Sequence, residues 1–153
     1  MEHRLGGLEK HPGTGAVSYA PEDHAAMCAL RRDKVAGVAG FIPELEVSGP
    51  EEGDLLVLGW GGSRGAAVTA VERLQDRGHR VAHAQLRYLN PFPRNLGEVL
   101  RRYRTVMIPE LNEGQLAMLV RAQYLVEVTA FTRQEGRPFT VAEIEARAME
   151  LLA

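Results

Sequence analysis

A glycine-rich segment, Gly59–Gly65, holds the residues with the clearest potential for chemistry in this sequence. It reads Gly-Trp-Gly-Gly-Ser-Arg-Gly and lies between a continuous apolar run and a stretch with helical periodicity. Backbone N–H groups at the start of a helix can hold an anion such as phosphate. Gly61, Gly62, Ser63 and Arg64 are therefore a candidate anion-binding turn. A tight turn packed against another domain explains the same residues without a ligand.

This turn departs from the established phosphate motifs. In a dinucleotide fingerprint, Gly-x-Gly-x-x-Gly, the third glycine would come one position earlier than Gly65. The acidic residue expected about 20 positions further on is missing near His79. No Gly-Lys-Ser/Thr follows, so the segment is not a P-loop. Ser63 also lacks the Gly-x-Ser-x-Gly elbow, which argues against a serine hydrolase.

A second candidate is Glu110, at the end of another apolar run. Open α/β sheets usually bind ligands at the carboxyl ends of their strands, so this carboxylate could serve as an acid or base. It could equally cap the following helix or bond across a subunit boundary. That helix, residues 115–124, is apolar nearly all round, which favours packing against a partner.

The histidines and the cysteine do not indicate a metal site. His79 and His83 are four apart, which aligns them on a helix, but their segment is typical of a strand. The single cysteine, Cys28, cannot build a cysteine-ligated zinc or iron–sulfur site within the chain. We therefore predict no metal-binding and no catalytic residue here.

The overall composition is that of one globular domain. The 153 residues are 45% hydrophobic and 25% charged, which excludes a mostly disordered chain. A formal net charge of −2 argues against nucleic acid or an anionic membrane as a partner held by bulk charge. No stretch approaches the ~18 apolar residues of a membrane span, and no signal sequence is visible. We expect a cytoplasmic protein.

The pattern along the chain changes near Leu55. Residues 1–20 predict an irregular arm. Pro21, followed by two acids, predicts the start of a helix that runs to about Ala39. A polar linker over residues 51–54 then leads into the regular part of the chain.

Strands and helices alternate in that regular part. Apolar runs predict strands at 55–58, 80–86, 105–110 and 125–131. Helices are predicted after the glycine-rich turn up to Gly78, and at 95–102, 112–124 and 140–152, the last with a capping box between Thr140 and Glu143. Strands that are apolar throughout and alternate with helices predict a three-layer α/β/α fold with a mostly parallel open sheet.

Three segments together resemble the alpha subunit of 2-oxoacid:ferredoxin oxidoreductases, and most closely the 2-oxoglutarate branch. They are GWGGSRGAAVTAVERL, GHRVAHAQLRYLNPFPRNLGEVL and VMIPELNEGQLAMLVRAQYLV. The arm, with HRLGGLEK and GTGAVSYAPEDHAAMCALRRDKV, resembles the segment that joins that subunit's pyrimidine-binding domain to its last domain. The resemblance implies that residues 1–53 are an arm, helix and linker from the preceding domain. It implies that residues 54–153 resemble the transketolase carboxyl-terminal domain.

The resemblance also implies a reaction. A 2-oxoacid and coenzyme A would give acyl-CoA, carbon dioxide and reduced ferredoxin, with thiamine diphosphate, Mg²⁺ and iron–sulfur clusters as cofactors. This chain alone is expected to bind none of them, because the Tyr-Pro-Ile-Thr-Pro type motif, the Gly-Asp-Gly…Asn thiamine signature and the cluster cysteines are missing. The expected partners are the rest of the alpha subunit and the beta subunit, with ferredoxin and CoA reached through the complex.

Several positions match the family pattern, and their individual roles are hypotheses. They are the turn residues above and, as interface or ligand-edge candidates, Arg87, Glu110 and Asn112. We expect a carboxyl-terminal piece of the alpha subunit with a structural and subunit-contact role. The alternative is a stand-alone binding module that holds a phosphate-bearing ligand such as CoA at Gly59–Gly65. A stand-alone enzyme is disfavoured, because no nucleophile–base pair or metal site is visible.

Overall fold

The computed structural model describes residues 8–153, so the first seven residues of the predicted arm lie outside the described part. The chain divides into two compact units, Met1–Ile42 and Pro43–Ala153. None of the described helices is both long and apolar enough to cross a membrane.

The first unit is a hairpin followed by a helix. The strands β1 (Glu9–Lys10) and β2 (Val17–Ser18) pair antiparallel, which the sequence did not predict. Helix α1 (Pro21–Gly37) begins at the predicted proline, with acids in its first turn where they suit the helix dipole. None of its side chains is buried within the described residues.

The second unit, residues 43–153, contains a five-stranded sheet whose order is β3-β5-β4-β6-β7. The strands are β3 (Val47–Ser48), β4 (Gly53–Trp60), β5 (Val81–Leu86), β6 (Tyr103–Glu110) and β7 (Thr129–Thr132). All neighbours pair in parallel except β3, which runs antiparallel to β5 at one edge. The helices are α2 (Arg64–Asp76), α3 (Leu96–Arg101), α4 (Gln115–Tyr124) and α5 (Val141–Leu152).

Both faces of the sheet are covered. Leu56 and Leu58 of β4 contribute to a core that includes apolar residues of α3 and α4. Leu55 and Val57, which alternate with them, contribute to a second core that includes residues of α2 and α5. A strand buried on both faces needs a continuous apolar run, which is what residues 55–58 supply. The predicted three-layer fold with a mostly parallel sheet is confirmed.

The last strand of the sheet starts later than predicted. Leu125 adopts a left-handed backbone conformation, with φ of 53°, and closes α4. The chain must therefore turn before it can pair with β6, and β7 covers Thr129–Thr132 rather than residues 125–131. The apolar character of Leu125 and its neighbours does not show this reversal.

The segment before β4 packs with the second unit. Leu45 is buried, and its backbone N–H donates to Asn95 Oδ1 at 2.8 Å while Asn95 Nδ2 donates to the Leu45 carbonyl at 2.9 Å. The boundary between the two compact units therefore falls after Ile42, whereas the sequence analysis grouped the arm, helix and linker together up to residue 53. These two bonds span 50 positions, and no local pattern predicts them.

The predicted capping box is present at the start of α5. The Glu143 N–H donates to Thr140 Oγ1, and the Thr140 N–H donates to Glu143 Oε2. Arg133, together with the Thr140 bonds, holds the pKa of Glu143 well below its usual range. The helix therefore begins at a fixed position next to β7.

Candidate functional site

The glycine-rich turn joins β4 to α2 as predicted. Gly61 has a φ of 57°, in the left-handed region that favours glycine, and a short 3₁₀ turn over 61–63 leads into α2. Ser63 is buried, and its hydroxyl donates to the Trp60 carbonyl at 3.0 Å. The hydroxyl is thus engaged within the turn. Arg64, the first residue of α2, is exposed and takes part in no ion pair within residues 8–153.

Polar side chains from β5 and the turn converge above Gly59. A Cβ atom at this position would lie 2.5 Å from Gln85 Oε1, 3.3 Å from His83 Nε2 and 3.4 Å from Ser63 Oγ. These polar atoms already occupy the place of a side chain, so the position favours glycine. His83 and Gln85 alternate with Ala82, Ala84 and Leu86 along β5, so they lie on the opposite face of the strand from that apolar set.

Two atoms of this group lack a hydrogen-bond partner. Among the described buried side-chain atoms, these are His83 Nε2 and Gln85 Oε1. His83 is only 4% exposed. The amide nitrogen of Gln85 donates to the Gly61 carbonyl at 3.4 Å, so the amide holds the turn while its oxygen stays unpaired. Buried polar atoms are paired in most native structures, and here the two side chains interact with each other but have no further described partner at these atoms.

The imidazole of His83 is neutral at physiological pH. Burial lowers its pKa from 6.5 to about 4. A hydrogen bond with the Gln85 side chain raises the pKa and opposes part of that shift, and the positive charge of Arg64 adds to it. A neutral imidazole can either donate or accept a hydrogen bond at Nε2.

A cavity of about 320 Å³ lies next to this group, at the edge of the sheet near β5. We name it the β5 cavity. Its lining includes His83, Gln85 and the two arginines Arg64 and Arg87, together with residues from the segment 43–48. The structure therefore brings Arg64 of the predicted turn and Arg87 of the predicted ligand edge to one place.

Glu110 has a different environment, at the end of β6. It is 1% exposed, and its two carboxylate oxygens accept hydrogen bonds from the backbone N–H groups of Leu116 and Ala117, at 2.8 and 3.0 Å. These are N–H groups of the first turn of α4, which have no partner inside the helix. The contacts support the capping alternative, and a role for Glu110 at a ligand or subunit edge stays a prediction.

Asn112 assists the same helix start. Its Oδ1 accepts from the Gly114 N–H at 2.7 Å and from the Gln115 N–H at 3.1 Å. The interface or ligand-edge hypothesis for Asn112 likewise has no direct support in these contacts. Of the three edge candidates, only Arg87 lines the cavity.

The structure also groups residues that the sequence analysis did not connect. Within the described first unit, ligand atoms of Glu9, His24 and Cys28 lie within 4.8 Å of one another. Arg31 already donates to both oxygens of Glu9 and to the Cys28 sulfur. The four-residue spacing of His24 and Cys28 on a predicted helix was the available signal. With a guanidinium in the cluster, the geometry is that of an ion-pair network.

The sequence indicated His83 only as a possible partner of His79 for a metal. Neither Gln85 nor the unpaired ring nitrogen of His83 was evident from it. Polar residues inside an otherwise apolar strand, at 83 and 85, were the signal that could have pointed to the site.

This fold and sequence belong to a known class. Residues 53–144 match the family model of the pyruvate:ferredoxin oxidoreductase core domain II, so the chain belongs to that family. The fold is also similar to a split-gene transketolase solved as an inactive beta4 tetramer, with a TM-score of 0.55 at 19% identity, covering 70% of this chain and 41% of that one.

Among individual proteins, this chain is similar to alpha subunits of 2-oxoacid oxidoreductases. The 2-oxoglutarate oxidoreductase subunit KorA of Mycobacterium tuberculosis is 51% identical over 145 residues, which is 94% of this chain and 22% of KorA. The alpha subunit of 2-oxoacid:ferredoxin oxidoreductase 2 of Aeropyrum pernix is 31% identical, covering 95% of this chain and 24% of the relative.

A solved structure matches along nearly the whole chain. It is the 2-oxoglutarate:ferredoxin oxidoreductase from Magnetococcus marinus with 2-oxoglutarate, coenzyme A and succinyl-CoA bound. It has a TM-score of 0.90 and 32% identity, over 99% of this chain and 27% of that one. The chain thus corresponds to one domain of such an alpha subunit and spans about a quarter of these relatives.

Proposed function

We propose that this chain is the structural and subunit-contact domain of a 2-oxoglutarate:ferredoxin oxidoreductase alpha subunit. The complex would convert a 2-oxoacid and CoA into acyl-CoA and carbon dioxide while it reduces ferredoxin. The observation that carries the proposal is the likeness to the Magnetococcus marinus enzyme over 99% of the chain, at a TM-score of 0.90. The 51% identity to the mycobacterial subunit favours 2-oxoglutarate as the substrate.

The exposed side of α4 supports a role in subunit contact. Leu111, Met118, Leu119 and Leu125 are exposed and form what we call the α4 surface. The opposite side of the helix, with Leu116 and Val120, is buried in the domain. A helix that is apolar on both sides needs cover on both, and exposed apolar groups of this kind often mark interaction sites. The rest of the alpha subunit or the beta subunit would supply that cover.

The cofactors of the complex fit other parts of the assembly better than this chain. An iron–sulfur cluster needs several cysteine thiolates, and the sequence contains one cysteine, Cys28. The Gly-Asp-Gly…Asn thiamine signature is absent from the sequence as well. In our proposal the domain binds none of these groups and stabilises the contacts between the parts that do. A complex that uses CoA and ferredoxin would work in the cytoplasm.

A stand-alone module that holds a phosphate-bearing ligand is less well supported. Such a module would need likeness to ligand-binding proteins centred on Gly59–Gly65. The observed likeness runs along nearly the entire chain, including α4 and the arm.

A chimera tests the proposal. This chain replaces the matching 145-residue segment of the mycobacterial subunit, which is then produced with its partner subunit. We expect the chimera to assemble and to reduce ferredoxin in the presence of 2-oxoglutarate and CoA. Failure of a well-folded chimera to assemble would contradict the proposal.

Two matched variants of the chimera test the α4 surface. Leu119→Glu places a charge on that surface, and Ala146→Glu places the same charge at an exposed position of α5. We expect the first to lose co-purification of the partner subunit and the second to retain it. Full assembly of the Leu119→Glu chimera would contradict a role of the α4 surface in subunit contact.

A further inference from the structure

The β5 cavity contains charged side chains that form no ion pair among the described residues. Arg64 and Arg87 line it from α2 and from the loop after β5, and Glu44 and Glu46 line it from the segment before β3. In the described part of the chain, none of the four takes part in an ion pair within 4 Å. All four side chains are exposed and none is held by another charge, so they stay available to a third group.

Polar side chains lie beside these charges. His83, which is 96% buried, and Gln85 both line the cavity. Within the described residues, His83 Nε2 and Gln85 Oε1 are buried and have no polar partner beyond the interaction of these two side chains with each other. Buried polar groups usually pair fully with protein, water or a ligand, so these two side chains keep bonding capacity for a ligand.

Gly59 lets these side chains approach the backbone of β4. Any larger residue would place its Cβ 2.5 Å from Gln85 Oε1 and 3.3 Å from His83 Nε2. The absence of a side chain at Gly59 therefore allows His83 and Gln85 to pack where they line the cavity.

The groups in the cavity define the chemistry of its ligand. A guanidinium presents a fork of donors that fits the oxygens of a phosphate or a carboxylate. The Gln85 oxygen and the two glutamates can only accept hydrogen bonds, so they require donors. A volume of about 320 Å³ accommodates more than a single inorganic ion.

We propose that the β5 cavity binds a small anionic molecule that also carries hydroxyl or amino groups. Arg64 and Arg87 hold its phosphate or carboxylate, and Gln85, His83 and the glutamates accept from or donate to the remaining polar groups. This site differs from the predicted anion-binding turn, because it is centred on β5 and not on the N–H groups of α2. The inference goes beyond the proposed function, and all the residues it uses lie within 43–93.

A titration of the whole 153-residue chain followed by NMR tests the proposal. The probes are inorganic phosphate and glycerol 3-phosphate, each at constant ionic strength, and the observed signals are those of the His83 ring and the Arg64 and Arg87 guanidinium groups. We expect saturable shifts with both, and several-fold tighter binding of glycerol 3-phosphate because of its two hydroxyl donors. The absence of saturable shifts with either probe would overturn the proposal, and equal affinities would overturn the assignment of donors.

Variants separate this site from general charge effects. Arg64→Gln and Arg87→Gln should each weaken glycerol 3-phosphate binding about tenfold, since each removes a charge-assisted contact. Arg104→Gln, at an exposed position of β6 outside the cavity, is the control and should leave affinity unchanged. An equal loss in all three would show nonspecific attraction and overturn the proposal.

Gly59→Ala is a second, uncharged test. Its methyl group would displace the Gln85 side chain, so binding should weaken while the thermal midpoint, measured in parallel, shows that the chain is folded. Unchanged affinity in a folded Gly59→Ala chain would contradict the role of Gln85 in holding the ligand. None of these results depends on activity of the assembled complex, so they can fail while the chimera succeeds, or the reverse.

Discussion

The carboxyl ends of β5 and β6 lie at the same edge of one sheet, but the polar residues of these two strands differ in their hydrogen-bond partners. At the end of β6, Glu110 is buried, and each of its oxygens accepts a backbone N–H of α4. On β5, His83 is equally buried and its Nε2 has no partner in the described part of the chain. The difference lies in the neighbours: a helix begins directly over Glu110, whereas a cavity adjoins His83.

This contrast shows what separates a structural polar residue from a candidate binding residue. A polar group at a strand end is typical of both, and the sequence alone left both interpretations open for Glu110. The deciding quantity is whether the protein itself supplies the hydrogen-bond partner. Where it does, removal of the group should destabilise the fold, and where it does not, removal should affect binding more than stability.

The largest effect is expected at Glu110. Glu110→Ala removes two hydrogen bonds to a charged acceptor and leaves two N–H groups of α4 buried without a partner. We expect a loss of about 4 kcal/mol in the free energy of unfolding, measured by chemical denaturation. Glu113→Ala, at an exposed position three residues later, is the control and should change it by less than about 0.5 kcal/mol. Similar losses in both variants would show that the hydrogen bonds of Glu110 stabilise the fold no more than an exposed carboxylate does.

A pH-dependent effect is expected at His83. In the folded chain His83 has a pKa of about 4, whereas its ordinary value is 6.5. Between these two pH values the unfolded chain therefore binds a proton that the folded chain does not. Stability therefore falls as pH decreases from 6.5 to 4, by about 3 kcal/mol at most. Denaturation curves across this range provide the measurement.

The control for this pH effect is another histidine. His83→Gln should remove the component of the slope that His83 contributes, whereas His79→Gln, on the loop before β5, should retain it. An unchanged slope in His83→Gln would show that the pKa of His83 is the same in the folded and unfolded chain, which contradicts the effect of burial.

Much of the fold was predictable, because it depends on local patterns. The apolar run at 55–58 predicted a strand buried on both faces, and the alternation with helices predicted a parallel sheet. The Thr140–Glu143 capping box was predictable since it involves residues three apart. The reversal at Leu125 was not predictable, because a non-glycine residue rarely adopts a left-handed conformation. The pairing of β3 with β5 was not predictable either, because it joins distant parts of the chain.

The candidate site was predictable only in part. Arg64 and Arg87 were identified, but their proximity depends on how β5 pairs with β4 and how α2 packs against the sheet. His83 was considered only with His79 as a metal pair, which the strand pattern argued against, because spacing along the chain does not show which strand atoms remain unpaired. An orphaned nitrogen is a property of the packed structure, and composition does not encode it.

A smaller effect is expected at Asn112, the second capping residue of α4. Asn112→Ala removes an acceptor for the N–H groups of Gly114 and Gln115, which are closer to solvent than those bound by Glu110. We expect a loss of about 1 kcal/mol, since water can replace part of the interaction. Asn112→Asp should retain most of the stability, because it keeps the acceptor. A loss as large as that of Glu110→Ala would show that the two caps are not independent.

The smallest effect is expected at Gln85, on the unpaired side of the contrast. Gln85→Met keeps the size of the side chain and removes an oxygen that has no partner, losing only a 3.4 Å bond to the Gly61 carbonyl. The free energy of unfolding should change by less than about 0.5 kcal/mol, because relief of the buried oxygen offsets that loss. Gln75→Met is the matched control, since Gln75 Nε2 donates to the Val81 carbonyl at 2.8 Å, and it should cost about 1 kcal/mol. If Gln85→Met proved the more destabilising of the two, Gln85 would hold the fold as Glu110 does, and the polar residues of β5 would have to be counted as structural.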